Sequence, residues 1–343
     1  MALASEARCR AMASSGCGWW WARWAAALIA ALAMAALARA AEPVAPNLSV
    51  QGWIERLHEA TRARAYSGTF VVTRGDDVVS ARVVHACDGQ RQVERIENLS
   101  GPARVTWRLD DEVLTLWPQQ QTVLRERRET LRLFPGPVKV PGVKVDEHYR
   151  AELRGRERVA GLEAWVVEFV PRDGWRYGYR LWSELRTGLA LKMQTLGAGQ
   201  QVLEQMAYTE VQLDAPLKVE GLLRQMEDTR GWRTLRPQRV KTNPQALGWR
   251  WVSSVPGFQL VGCWQREAEA GRGRPPLQCV VSDGLASVSL FLGGGEPPHA
   301  NPRASGAMQV RAGKLGEHAV LAIGEVPAAT LERLLAGVER AQP

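Results

Sequence analysis

The sequence predicts an α+β protein: a large antiparallel sheet packed on one helix, then a smaller unit of strands closed by another helix. The clearest sign is the stretch Val159–Leu196. Trp165, Val167 and Phe169 fall on one face at a period of two, and Pro171-Arg172-Asp173-Gly174 is a turn signal because Gly and Asp tolerate positive φ. The chain returns with Trp175, Tyr177, Tyr179 and Leu181 on one face and Arg176 and Arg180 on the other, turns again over Ser183–Gly188, and alternates Leu189, Leu191 and Met193 with Lys192 and Gln194. That is an antiparallel meander with one apolar, aromatic face. The second sign is an amphipathic helix ahead of it, and the third is a series of short strand-like runs with no βαβ alternation.

The chain has 343 residues, which suggests two domains, with ordinary globular contents of 45% hydrophobic and 23% charged residues. Residues 1–40 read as a signal peptide. Arg8, Arg10 and Arg23 supply its positive side, Ala25–Leu37 is an apolar run too short to span a bilayer, and Ala38-Arg39-Ala40 fits a cleavage site, so the mature chain is expected to begin at Ala41, whether translation starts at Met1 or Met12. The full chain carries +8; residues 1–40 hold four Arg and one Glu, which leaves 40 basic against 35 acidic residues, or +5. In an exported protein this mild excess points to anionic lipid or an acidic peptide, and away from nucleic acid. Cys87, Cys263 and Cys279 remain after cleavage. An oxidising compartment permits a disulfide, and Cys263 and Cys279 flank a Gly/Arg/Pro-rich loop that such a bond would close. No C-x-x-C or His pair favours a metal, and Cys87 reads as a small apolar strand residue.

The first domain is expected over 41–213. Val50, Trp53, Ile54, Leu57 and Ala60 keep helical spacing within 47–65, with Ser49 as N-cap. Strand runs follow at Gly68–Thr73, Val78–Ala86, Gln92–Glu97, Ala103–Leu109, Glu112–Trp117 and Thr122–Arg127, and the sheet resumes at Arg150 and ends with Gln201–Leu213. Between them, Phe134–Gly142 is Pro/Gly-rich and partly apolar, the composition of a flap over a cavity or of a plain surface loop.

Residues 214–247 read as a linker in which Leu217–Met226 forms a short helix. Arg230, Arg233 and Arg236, with Arg239 and Lys241 beyond them, form a basic run whose ordinary reading is a solvated face. Its sharper reading is contact with a phosphate or carboxylate. The second domain, 248–343, holds a hairpin across Asp283-Gly284, a further strand pair (Met308–Gly313, His318–Gly324) and a last helix opened by Pro327.

Nucleophile-elbow, P-loop, dinucleotide-binding and zincin motifs are absent, and His58, His85, His148, His299 and His318 show no ligand spacing, so neither an enzyme nor a cofactor or metal is indicated. The chain contains 14 Trp. Burial explains most of them, yet a sheet curved around one helix leaves apolar face for an acyl chain. Trp107, Trp117, Trp165, Tyr177, Tyr179, Leu181 and Met193 are the candidates for its lining, with Arg230, Arg233 and Arg236 for head-group or partner contact.

The run R-D-G-W-R-Y-G-Y-R-L-W with T-G-L-A-L-K-M, the S-D-G-L hairpin at Ser282–Leu285 and G-E-V-P-A-A-T at Gly324–Thr330 together resemble the RseB/MucB family. The resemblance implies an unclosed antiparallel β-barrel like the outer-membrane lipoprotein carriers, then a smaller α+β domain. It also implies a periplasmic negative regulator of an envelope-stress sigma factor. Such a regulator binds the periplasmic part of a membrane anti-sigma factor, shields it from regulated proteolysis and lets go on meeting lipopolysaccharide or another acyl lipid. Self-association is left open. The Cys263/Cys279 pair and the Gly271–Arg274 loop depart from the family pattern. The alternative is a periplasmic lipoprotein or lipid carrier, against which the second domain argues.

Overall fold

The computed structural model describes residues 46–127, 143–226, 229–252, 255–267, 275–293 and 304–340. The expected signal peptide, the flap at Phe134–Gly142 and the Gly271–Arg274 loop lie outside them.

Helix α1 (Val50–Ala63) opens the described chain. Ser49 Oγ accepts from the Gly52 N–H at 3.2 Å, and the Asp146 carboxylate accepts from the Val50 N–H at 2.7 Å, so the positive end of the helix meets both a cap and an anion. Val50, Trp53, Ile54 and Ala60 form its buried stripe.

The strands that follow are β1 (Tyr66–Arg74), β2 (Asp77–Cys87), β3 (Gln92–Asn98), β4 (Val105–Leu109), β5 (Glu112–Trp117), β6 (Thr122–Arg127), β7 (Tyr149–Val159), β8 (Leu162–Pro171), β9 (Gly178–Glu184), β10 (Ala190–Leu196) and β11 (Val202–Leu213). With β12 (Arg233–Leu235) they form one 12-stranded sheet in the order β12-β6-β5-β4-β3-β2-β1-β11-β10-β9-β8-β7. Among the described residues its two ends, β12 and β7, do not pair, so the barrel is unclosed, as the family resemblance implies. Register shifts at Thr69/Phe70, Leu153/Gly155 and Thr195/Leu196 mark bulges, which bend strands and sharpen the sheet's curl.

The curl gives the sheet two faces with different covers. Trp165, Val167, Phe169, Tyr179 and Leu181 pack beneath Val50, Trp53 and Ile54 of α1. The opposite face of β2–β6 is covered by α2 (Val219–Met226), whose Val219, Leu222 and Met226 pack on Ala86, Val93, Trp107 and Leu114.

The remaining strands are β13 (Arg239–Lys241), β14 (Trp249–Trp251), β15 (Gln259–Arg266), β16 (Leu277–Ser282), β17 (Ser287–Leu292), β18 (Gln309–Leu315), β19 (His318–Gly324) and β20 (Val338–Arg340). A six-stranded sheet runs β13-β15-β16-β17-β19-β18, and β14 pairs with β20. Helix α3 (Ala328–Ala336) sends Leu331 and Leu334 into a core with Phe258, Leu277 and Leu290. Cys263 and Cys279 face each other in register across β15 and β16, and their sulfurs are bonded.

The segment read as a linker is folded. It provides α2, an edge strand parallel to β6 and an edge strand antiparallel to β15, so residues 214–247 stitch the two sheets together. A second correction concerns the meander. Strand β8 stops at Pro171 and β9 starts at Gly178, so Trp175, Arg176 and Tyr177 lie outside the ladder.

Candidate functional site

A cavity of about 320 Å³ lies between α1 and the sheet. The strand order grades its lining. Phe169 of β8, Tyr179 and Leu181 of β9, and Ala190 and Met193 of β10 make one half apolar; across Tyr208 of β11 and Tyr66 of β1, the other half carries His85, Glu94 and Arg108 of β2–β4 and the adjoining Asp110. Helix α1 repeats the gradient along its axis: Ile54 and Leu57 come first, then His58, Thr61 and Arg62 at helical spacing. Tyr66 stacks on His85 at 4.9 Å, and His85 Nδ1 lies 3.8 Å from a Glu94 oxygen. Burial, and secondarily Glu94, raises the Tyr208 phenol well above its ordinary range, so it stays protonated.

Of the seven residues expected to line this space, the structure brings together Tyr179, Leu181 and Met193. Trp107 is a correction. Its neighbour Arg108 points to the cavity, so alternation sends Trp107 to the other face, where it is 2% exposed beneath α2 with Arg95 over its ring at 5.6 Å. Trp165 is buried under the first turns of α1, with Arg156 4.4 Å from its ring centroid. Trp117 is half-buried at the end of β5, paired with Thr122, and Tyr177 is hydrogen-bonded to Gln309 of β18. Arg230, Arg233 and Arg236 are exposed on and beside β12, the edge of the large sheet among the described residues, three strands beyond β4. Sequence reasoning missed the polar half. His58 and His85 look scattered along the chain, and only strand register brings His85, Glu94 and Arg108 abreast.

One wall residue of the cavity comes from the second sheet. Leu285, at the tip of the β16–β17 hairpin, packs among the α1 cluster. It is held there by a buried charge cluster. Arg176, 3% exposed, donates through Nη1 to Asp283 Oδ2 at 2.6 Å, through Nη2 to the Pro256 carbonyl at 2.6 Å, and through Nε and Nη2 to Asp173 at 2.9 and 3.1 Å. Asp283, fully buried, also accepts from the Tyr149 hydroxyl at 3.2 Å and from the N–H groups of Leu285 and Ala286 at 3.0 and 2.7 Å. Burial alone would lower the guanidinium pKa; the hydrogen bond to Asp173 and the charge of Asp283 outweigh it, and the net shift is upward. Burial, and then Asp283, pushes the Tyr149 phenol well up, which keeps it a donor. His148, lowered by burial and by Arg176, lies against Gly257. A Cβ there would sit 2.2 Å from His148 Nε2, and φ is +82°, so only glycine fits.

Trp175, next to Arg176, packs into the core of the second sheet, and its carbonyl accepts from the Thr330 hydroxyl of α3 at 2.7 Å. The segments around Arg176, Asp283 and Thr330, far apart in sequence, therefore meet at one junction. Among the described residues, no group of His, Cys, Asp and Glu is arranged to hold a metal ion.

The MucB/RseB N-terminal domain model matches residues 49–226, and the MucB/RseB C-terminal domain model matches residues 243–339. The chain is 28% identical over 305 residues to the sigma factor AlgU regulatory protein MucB of Pseudomonas aeruginosa, covering 86% of this chain and 92% of that protein. It is 24% identical over 301 residues to the sigma-E factor regulatory protein RseB of Haemophilus influenzae, with the same coverage. A chain of the solved P. aeruginosa MucA/MucB complex superposes with a TM-score of 0.65 at 25% identity, covering 85% of this chain and 98% of that one.

Proposed function

Because this chain belongs to the MucB/RseB family, we propose that it is a periplasmic negative regulator of an envelope-stress sigma factor. It binds the periplasmic segment of a membrane-spanning anti-sigma factor, shields that segment from the first regulatory protease, and releases it when lipid enters the cavity under α1. The observation that carries this reading is the match of both domains to the family, with its three motifs meeting where Leu285 joins the cavity wall to the second sheet. A ligand that displaces Leu285 acts on the hairpin that Arg176 anchors, which links cavity and junction. Arg230, Arg233 and Arg236 on the β12 edge remain our candidates for contact with an acidic partner segment or a lipid phosphate. The second sheet supplies most of the partner contact, and the half-barrel holds lipid. A carrier of lipoprotein or lipid would leave the second sheet without a role.

The test is calorimetric binding of the full chain and of each domain to the periplasmic segment of the anti-sigma factor from the same organism, with protection of that segment from its protease as a second readout. Binding and protection by the full chain are expected. No binding by the full chain, or full affinity in the half-barrel alone, contradicts the reading or its division of labour.

A further inference from the structure

We propose that the outward face of the second sheet docks an amphipathic helical segment of the partner protein, one with acids beside its apolar stripe; this rests on the anti-sigma-factor reading above and names the surface and chemistry of that contact. Alternation defines the face. Cys263, Cys279, Leu290 and Ala322 stand in register across β15, β16, β17 and β19 and are buried in the core that α3 closes. The positions between them point the other way. They include Trp264 on β15, Val280 on β16, Phe291 on β17 and Ile323 on β19, each only half-buried. Of the described helices, α1 and α2 cover the large sheet and α3 covers one side of this one, so its other side offers apolar side chains. The inner strands are already paired on both flanks, so this face takes a helix and not an added strand.

The local sequence makes the face flat and positive. Gly262 leaves room for the Trp264 indole to lie along the strand, since a Cβ there would stand 2.8 Å from the ring. On the buried side the Cys263–Cys279 bond ties together the strands that carry Trp264 and Val280. Charge sets the partner's sign. The six strands of this sheet contain Arg239, Lys241, Arg266, Arg311 and Lys314, and no Asp or Glu. Strand β13 brings the end of the basic run to the outward face, with Lys241 opposite Trp264 and Arg239 opposite Arg266. Arg239 donates to the Gln278 side chain, which donates in turn to Ser289 Oγ at 3.2 Å, so the guanidinium is held over the sheet. Like charges directly opposite one another cost stability, and a carboxylate brought between Arg239 and Arg266 relieves that cost. The covered side shows the same solution within the chain: Glu332 of α3 accepts from Arg311 Nε at 2.9 Å. A helix with acids flanking its apolar stripe would answer Lys241 and Arg266 in the same way.

The experiment is isothermal titration of the full chain with the periplasmic anti-sigma segment from the same organism. Wild type is compared with Trp264→Ala and with the double reversal Lys241→Glu plus Arg266→Glu. Arg104→Glu plus Arg186→Glu, at exposed positions of the half-barrel, matches the change in net charge. Melting curves check that each variant folds. Loss of the aromatic anchor should weaken binding about fivefold or more. The double reversal should weaken it about tenfold and flatten its salt dependence, and the matched control should change it less than about twofold. The segment should also gain helical circular dichroism on mixing with the wild-type chain. Affinity unmoved by both face variants, a control as damaging as the face reversal, or binding without helix gain overturns the proposal and leaves the anti-sigma-factor reading intact. The same holds if the face reversal spares the segment but abolishes binding to phosphatidylglycerol vesicles or a wild-type dimer, which assigns the face to a lipid surface or a second copy. If the wild-type chain does not bind the segment at all, the anti-sigma-factor reading fails and this inference with it.

Discussion

The two places where charge enters the interior are built in opposite ways. At the junction, Arg176 and Asp283 are buried and joined at 2.6 Å, and the hydrogen bonds of Asp173, Pro256 and Tyr149 complete the cluster. Under α1, charges of both signs line one half of a cavity whose other half is apolar. The first arrangement fixes a geometry, because a buried ion that loses its partner is left uncompensated. The second leaves polar groups facing a space that a ligand can share. Leu285 belongs to both, so the rigid cluster reports on the receptive one.

This comparison breaks most sharply at Asp283. Asp283→Ala should destabilise the protein by about 3–5 kcal/mol, since it removes the buried carboxylate that accepts from Arg176 Nη1 and the Tyr149 hydroxyl and leaves Asp173 as the one anion on that guanidinium, and should split chemical denaturation into two transitions as the second sheet loses its anchor. A single transition with an unchanged midpoint would mean the cluster is not what joins the sheets. The disulfide ranks next. It closes a loop with a separation of 16 residues, for which loop entropy gives about 3 kcal/mol. Mass measurement after alkylation without reductant should show label at Cys87 alone, and slowly, because burial and then Asp88 raise its thiol pKa; three labels would contradict the pairing.

Leu285→Ala sharpens the link between the regions. It should cost about 2–3 kcal/mol, at the low end of buried Leu truncations because one side of the residue faces the cavity, and it should raise lipid affinity by enlarging the space. Loss of stability with lipid affinity unchanged would separate cavity from junction.

The smallest effect is electrostatic. Gly306, φ +58°, packs the second domain against the Leu203 carbonyl and Arg74, where Arg74 pairs with Glu204 at 2.8 Å. Glu325 lies in the field of both. Burial, and then the charge of Glu204, raises its carboxyl above the ordinary 4.5. A carboxyl raised on folding binds its proton more tightly in the folded state, so stability is greatest below about pH 4.5 and falls as pH climbs from there through the folded value. Glu325→Gln should therefore raise the melting temperature at pH 7 and leave it nearly unchanged at pH 4. An equal gain at both pH values would assign the effect to packing.

How legible this molecule is in its sequence varies with the length of the pattern. Helix α1 and the long strands β8–β11 repeat their periods often enough to be placed, and the Cys263/Cys279 pair stands out beside its loop. Arg176 does not. Period two puts it on the polar side of a strand, but the ladder has already stopped at Pro171, and its partner lies 107 residues away. Trp107 shows a second limit: alternation tells that Trp107 and Arg108 face apart, but not which face α2 covers. Strands β12 and β13, three residues each, are too short for any period to mark them.

The central claim is that lipid in the half-barrel and partner on the protein exclude each other. That requires lipid to bind the partner-free form more tightly, and linkage then makes the effect mutual. The direct measurement is the affinity of the full chain for the periplasmic anti-sigma segment across a lipid titration held below micelle formation. The account predicts at least a tenfold loss of affinity with an acyl lipid and none with a chain-free head group. Unchanged affinity while lipid demonstrably occupies the protein would contradict it.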